Sequence, residues 1–248
     1  MVLLLTRPLT ILIMAYLIGS IPTAVLVART MLSADIREIG DGNMGARNVA
    51  HTLGWGPGAL VATIDFSKGA VAVLLARAFD LPPIWQLAAG ACSVLGHDFP
   101  IFAGFRGGQG LAATLGSLFV LMPQETFWGL ACFGGCYLLT RSFDLSAGFG
   151  LALLAFLGLY LREPVLLLGY TVGLFLLVPI KKALDWPLRR RLARTVVDLT
   201  SQAPEQQADD IGYASSQAAD QEHLQATLPG IALGDEHLGG TQRKQGQG

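Results

Sequence analysis

Three polar clusters interrupt an otherwise apolar chain, and each carries residue types suited to holding an anion or moving a proton. The first, DIREIGDGNMGARN from Asp35 to Asn48, sets Gly40, Gly42 and Gly45 between Arg37 and Arg47. Glycines admit positive φ and close backbone approach, so successive amide groups can converge on an anion while the arginines supply charge. Asn43 and Asn48 add side-chain amides to the same stretch. The plainer reading is a turn that only reverses the chain. The second cluster, IDFSKG, places Asp65 and Lys68 three residues apart on one helical face of an apolar run. Ionisable groups cost roughly 2.5–3.5 kcal/mol each inside a membrane span, so they pair with one another or face a polar interior. A structural pair and a side chain aimed into a substrate pocket both satisfy that requirement. The third cluster, GHDFPIFAGFRGGQG from Gly96 to Gly110, contains His97, either a general base or a hydrogen-bonded structural histidine. Its Gly107, Gly108, Gln109 and Gly110 precede an apolar helix starting at Leu111, an arrangement suited to phosphate at a helix N-terminus.

The elements that position these clusters follow from composition. Of 248 residues, 52% are hydrophobic and 14% charged, and the mean hydropathy is +0.50, which describes a polytopic membrane protein. The segments Leu9 to Ala28, Gly56 to Phe79, Glu125 to Leu139, Leu145 to Leu161 and Pro164 to Ile180 approach the roughly 20 residues that a crossing requires. Ile84 to Gly96 and Leu111 to Met122 are shorter, each covering about 20 Å of a hydrocarbon core about 30 Å thick. The loop between them is therefore expected to dip below the membrane surface and to line a pocket, because backbone at that depth needs polar partners. The predicted fold is all-α, with about seven transmembrane helices and a partly submerged glycine-rich cytoplasmic loop.

With the N-terminus outside, the inner face collects Arg29, Arg37, Arg47, Arg106, Arg141, Lys181, Lys182, Arg189, Arg190, Arg191 and Arg194. The outer face keeps Arg7, Arg77 and Arg162, a positive-inside bias that predicts a cytoplasmic C-terminus. The basic run KKALDWPLRRRLAR suits an anionic lipid surface rather than nucleic acid. Residues 1–198 read as the membrane domain, and residues 199–248, rich in Gln, Asp, Gly and Ser, as a disordered cytoplasmic tail. Its His223 and His237 lack companions at metal spacing, and Cys92, Cys132 and Cys136 lie in apolar runs where a thiol packs as a small hydrophobe. The first apolar segment exceeds a signal-peptide core and shows no A-x-A cleavage pattern, so it is expected to remain as a span. The spans show no internal repeat of the kind that builds inverted-repeat transporters.

GSIP at Gly19 to Pro22, DIRxxGxGNxGAxN from Asp35 to Asn48, DxxKG from Asp65 to Gly69 and GHxxPxFxGFxGGxG from Gly96 to Gly110 share one resemblance. Together they resemble the membrane-embedded acyl-phosphate:glycerol-3-phosphate acyltransferases, the PlsY family, in order from about residue 15 to residue 147. The resemblance implies seven helices and a cytoplasmic active site in the bacterial inner membrane. It also implies transfer of a fatty acyl group from acyl phosphate to the 1-hydroxyl of glycerol 3-phosphate, giving lysophosphatidic acid for phospholipid synthesis. Acyl-CoA, metal and cofactor are not expected. The implied partners are acyl phosphate, glycerol 3-phosphate, membrane lipids and an enzyme that produces acyl phosphate. Catalytic roles fall on His97, Lys68 and Arg47, and substrate binding on Arg37, Gly40, Gly42, Asn43, Gly45, Asn48, Gly107, Gly108, Gln109 and Gly110.

The chain also departs from the pattern. Asp41 replaces the serine of GSGN, Arg47 the threonine of GATN, and Gln109 the lysine of GGKG, while His51 is the basic residue three positions past Asn48. The family's C-terminal His, Asn and Glu have no counterpart in IKKALDWPLRRRLA. A carboxylate about 5 Å from a phosphate charge repels it by roughly 3 kcal/mol at an effective dielectric of 20. Arg47 can offset that repulsion and the missing lysine, and Lys181 and Lys182 add positive charge near the lost motif. The alternative class is a non-catalytic paralogue that keeps the fold and binds a lipid phosphate or a partner enzyme.

Overall fold

The structure, a computed structural model, describes the backbone of residues 2–186 and side chains from residue 6 onward. The expected tail, with His223 and His237, and the arginines at 189, 190, 191 and 194 lie outside the described residues. Within them the secondary structure is helical. The helices are α1 (Val2–Gly19), α2 (Thr23–Leu32), α3 (Ala46–Leu53), α4 (Trp55–Ala78), α5 (Pro83–Asp98), α6 (Leu111–Leu121), α7 (Pro123–Thr140), α8 (Phe143–Tyr160) and α9 (Val165–Trp186). Two short 3₁₀ turns, Ile36–Glu38 and Ile101–Ala103, stiffen the loops after α2 and α5.

Among the described residues, four stretches are long and apolar enough to cross a membrane: Thr6–Leu32, Trp55–Ala78, Phe143–Tyr160 and Val165–Trp186. Reaching seven crossings requires counting α5, α6 and α7 as well; α6 has only 11 residues, about 16 Å at 1.5 Å per residue. The side chains that face outward suit lipid: Leu139, Phe156, Leu159 and Val165 are all exposed although large and apolar.

Two boundaries differ from the sequence expectation. The first apolar run is broken, because Pro22 has no N–H to continue the ladder, so α1 stops at Gly19 and α2 restarts at Thr23. The break leaves the Ile21 carbonyl facing inward, a fact used by the site below. Second, the glycine-rich cluster is loop only as far as Gly45; from Ala46 it is helix, with Gly45 as the N-cap. Val49, fully buried, anchors α3 against Ala28, Ile36, Met44 and Val61 of a core cluster at this end of the bundle.

Close helix contacts use small residues, as expected where lipid supplies no hydrophobic drive between helices. A side chain at Gly69 would strike the Ala113 carbonyl and one at Gly116 the Phe66 carbonyl, so α4 and α6 approach backbone to backbone. On α4 the buried positions Val61, Asp65, Lys68, Gly69, Ala72, Val73 and Ala76 recur at three- and four-residue spacing. That periodicity turns Asp65 and Lys68 into the bundle and away from lipid.

Candidate functional site

Asp65 and Lys68 form the innermost part of the site. The Lys68 ammonium donates to Asp65 Oδ1 at 2.6 Å and to the Ile21 carbonyl at 2.6 Å, and its side chain is 4% exposed. The chain break at Ser20–Pro22 thus supplies a second acceptor for a cation that would otherwise be half-satisfied. His97, near the end of α5, points Nδ1 at Asp65 Oδ1, 3.7 Å away. Asp65 therefore faces two basic groups, one on its own helix and one across the bundle.

The glycine-rich loop after α5 folds back over His97. Gly108 N–H donates to the His97 carbonyl at 3.2 Å. A side chain on Gly108 would collide with His97 Nε2, so only glycine fits beside the imidazole. Next to it Asp98 is buried, and its Oδ1 makes no hydrogen bond among the described residues. The tip of the loop behaves differently: Ile101, Phe102 and Phe105 are exposed, and Tyr16 Oη donates to the Phe99 carbonyl at 2.8 Å to fix its base.

The loop after α2 is organised by Asn48. Its amide nitrogen lies 2.9–3.0 Å from the carbonyls of Ile36, Ile39 and Asn43, and its Oδ1 accepts from Asp41 N–H at 3.0 Å. Asp41 in turn accepts from Asn43 N–H at 2.9 Å, which directs one carboxylate oxygen to its own loop. Arg37 is held by Asp35 through Nε at 3.0 Å and Nη2 at 2.6 Å, and donates through Nη1 to the Ala103 carbonyl at 2.8 Å. This bidentate hydrogen bonding holds the Asp35 carboxyl below its ordinary value and raises the arginine further. Arg37 thereby ties the two polar loops together.

Between these loops and helices α6, α7 and α8 lies a cavity of about 230 Å³. Asp41, Asn43, Arg47, His97, Gln109 and Lys182 are among its polar lining, and Leu111, Leu130, Phe133, Phe143 and Leu154 among its apolar lining. Of the residues singled out in the sequence, Asp41, Asn43, Gly45, Arg47, Asp65, His97, Gln109, Gly110 and Lys182 line it. Arg37, Gly40, Gly42, Asn48, Lys68, Gly107 and Gly108 do not; they shape the loops or support the lining residues. A wider groove between α5 and α9, near Ile84, Trp85 and Tyr170, is lined almost wholly by apolar side chains.

Sequence reasoning treats Asp41 as an obstacle and passes over Asp144 entirely. Arg47 Nη1 lies 3.5 Å from Asp144 Oδ1, and Lys182 Nζ lies 3.4 Å from Asp144 Oδ2. Arg47 also sits 5.1 Å over the Phe143 ring. An acidic residue in the first turn of a helix, where the helix dipole favours it, was the available signal at Asp144.

Residues 9–186 match the family described as "Glycerol-3-phosphate acyltransferase". A glycerol-3-phosphate acyltransferase of Thermus thermophilus is 50% identical over 131 residues, which make up 52% of this chain and 65% of that protein. That match spans just under two thirds of the relative's length. The Geotalea daltonii protein of the same name is 37% identical over 176 residues, 71% of this chain and 90% of that protein. Among solved structures, the chain is similar to PlsY (YgiH), an integral membrane glycerol 3-phosphate acyltransferase, in its glycerol 3-phosphate form. The TM-score is 0.66 at 30% identity, covering 76% of this chain and 93% of that one. The lysophosphatidic acid form of the same protein gives a TM-score of 0.64, also at 30% identity, over 77% of this chain and 93% of that one.

Proposed function

We propose a function from a premise that these matches establish: the chain belongs to the glycerol-3-phosphate acyltransferase family. It is an integral membrane protein of that family, and we infer that it acts at the cytoplasmic face of the bacterial inner membrane. The reaction is transfer of a fatty acyl group from acyl phosphate to the 1-hydroxyl of glycerol 3-phosphate, giving lysophosphatidic acid and inorganic phosphate.

One observation carries this reading: one cavity joins charged and polar residues, Arg47, Lys182, Asp41, Asp65, Asn43, His97 and Gln109, to an apolar lining drawn from the helices α6, α7 and α8. A substrate with a phosphate head and a long acyl chain has that same division. The acceptor hydroxyl oxygen attacks the acyl carbonyl carbon, the bond from that carbon to the phosphate oxygen breaks, and phosphate departs with the electron pair. The hydroxyl proton passes to His97, whose Nδ1 faces Asp65 so that the imidazolium formed is stabilised by a carboxylate. Lys68 does not line the cavity; it positions Asp65. Because acyl phosphate carries its own leaving group, most of the acceleration comes from alignment and charge neutralisation.

The test is to incubate the purified full chain in detergent with an acyl phosphate and glycerol 3-phosphate and to detect lysophosphatidic acid by mass spectrometry, with an acyl-CoA arm in parallel. Product from acyl phosphate alone is expected. Absence of product from folded protein overturns the reading and leaves the non-catalytic paralogue, a reading favoured by Gln109 in the lining where the family pattern has lysine. Reporter fusions to the C-terminus test the orientation, and an external C-terminus would contradict a cytoplasmic site.

A further inference from the structure

The mouth of the cavity has one acid between two cations drawn from different helices. Asp144 lies in the first turn of α8, Arg47 belongs to α3 and Lys182 to α9. The two contacts, 3.5 and 3.4 Å, end on separate oxygens of one carboxylate. All three side chains are open to solvent, with 65% of Asp144, 41% of Arg47 and 50% of Lys182 exposed. Exposed ion pairs of this length are weak and exchange readily.

The neighbouring lysine shows that this is not a general property of α9. Lys181 is buried, donates to both oxygens of Asp185 at 2.6 and 2.8 Å, and sits 5.2 Å over the Phe99 ring. It is committed to packing α9 against the end of α5. Lys182, one residue on, lines the cavity together with Arg47 and Gln109.

A single carboxylate half-neutralises two cations, leaving the trio with a net positive charge. A phosphate dianion offers twice the charge and three oxygens, and arginine and lysine are both suited to it. We propose that Arg47 and Lys182 together grip the substrate phosphate, and that Asp144 is an internal counter-ion which holds the two cations in register until phosphate displaces it. The inference rests on the acyltransferase reading for the identity of the phosphate. It explains how a chain with Gln109 in its glycine loop retains a binding charge: the cations come from α3 and α9 instead.

The experiment uses the full chain in detergent, with glycerol 3-phosphate binding followed by isothermal titration calorimetry and KM measured for both substrates. Circular dichroism and size-exclusion elution establish that each variant is folded. Lys182→Gln is expected to weaken glycerol 3-phosphate binding by about tenfold, because a charge-assisted contact is lost, while Lys182→Arg stays within about threefold. Asp144→Asn is expected to tighten binding, and that gain disappears in an Arg47→Gln, Lys182→Gln background, where nothing remains to be released. If Lys182→Gln leaves glycerol 3-phosphate affinity unchanged but raises KM for acyl phosphate about tenfold, the gripped phosphate is the donor's and the proposal stands. If both substrates are indifferent to Lys182→Gln in folded protein, or Asp144→Asn weakens phosphate binding, the proposal is overturned. Failure of the activity reading looks different: wild type then shows no turnover yet binds phosphate in a manner sensitive to Lys182.

Discussion

Asp65, Lys68 and His97 form one trio of an acid and two bases, and Asp144, Arg47 and Lys182 form another, with opposite surroundings. The first has side-chain exposures of 3–6% and a shared hydrogen bond of 2.6 Å; the second is 41–65% exposed, with contacts of 3.4 and 3.5 Å. Burial is set by helix geometry in the first case, since Asp65 and Lys68 fall on the inward face of α4. It is prevented in the second because α3, α8 and α9 meet at the mouth of the cavity. The same chemical groups therefore do different work. Loss of Asp65 or Lys68 would leave the other without its partner in a buried site, so the pair is a fixed wall against which His97 is oriented. An exposed trio can trade its acid for an incoming anion.

That contrast is broken most severely by Lys68→Met, which leaves Asp65 buried and without its ammonium partner. Removal of one partner of a buried pair costs about 3–5 kcal/mol, so a large fall in thermal midpoint, or loss of folded protein, is expected in detergent. A midpoint near that of wild type would mean that water reaches Asp65 and that the trio is not closed. Next in size is Arg47→Thr, which we expect to raise KM for the phosphate-bearing substrate about tenfold, with part of the loss restored by adding Gln109→Lys. Strictly additive effects in that cycle would show that positions 47 and 109 do not serve the same phosphate. Asp144→Asn should change folding stability by less than about 1 kcal/mol, because exposed pairs contribute little. A drop as large as that of Lys68→Met would erase the distinction between the trios.

The smallest effect concerns the loop that neither trio includes. Arg37 lowers the Asp35 pKa, so this pair contributes stability fully above the ordinary carboxylate value of 3.8 and loses it as pH falls through the lowered value. The difference in thermal midpoint between wild type and Arg37→Leu should accordingly narrow in strong acid. A gap independent of pH would assign the whole effect of Arg37 to its bond with the Ala103 carbonyl.

Much of the membrane architecture was legible because apolar length and helical period are local signals: the predicted Gly56–Phe79 appears as Trp55–Ala78, and Leu145–Leu161 as Phe143–Tyr160. The polar clusters were legible for the same reason. What the sequence hid were the partners. Lys68 reaches a carbonyl 47 residues away, and Lys182 meets Asp144 across 38; no spacing rule connects such positions. Arg37 is the instructive case, since Asp35 lies two residues before it and already announced a local partner. A cation in a glycine-rich loop reads as free for substrate, yet its nearest carboxylate has taken it. Asn48 likewise spends all of its hydrogen-bonding groups on backbone.

The division of labour between the trios is tested most directly by steady-state kinetics on His97→Gln and Arg47→Gln side by side, with both substrates varied. Loss of a general base should lower kcat about 100-fold or more with KM little changed, whereas loss of a phosphate contact should raise KM about tenfold with kcat little changed. The contrary result is a fall in kcat of similar size in both variants with KM unmoved, which would mean that the buried histidine and the exposed arginine act in one step and that the two trios are not functionally distinct.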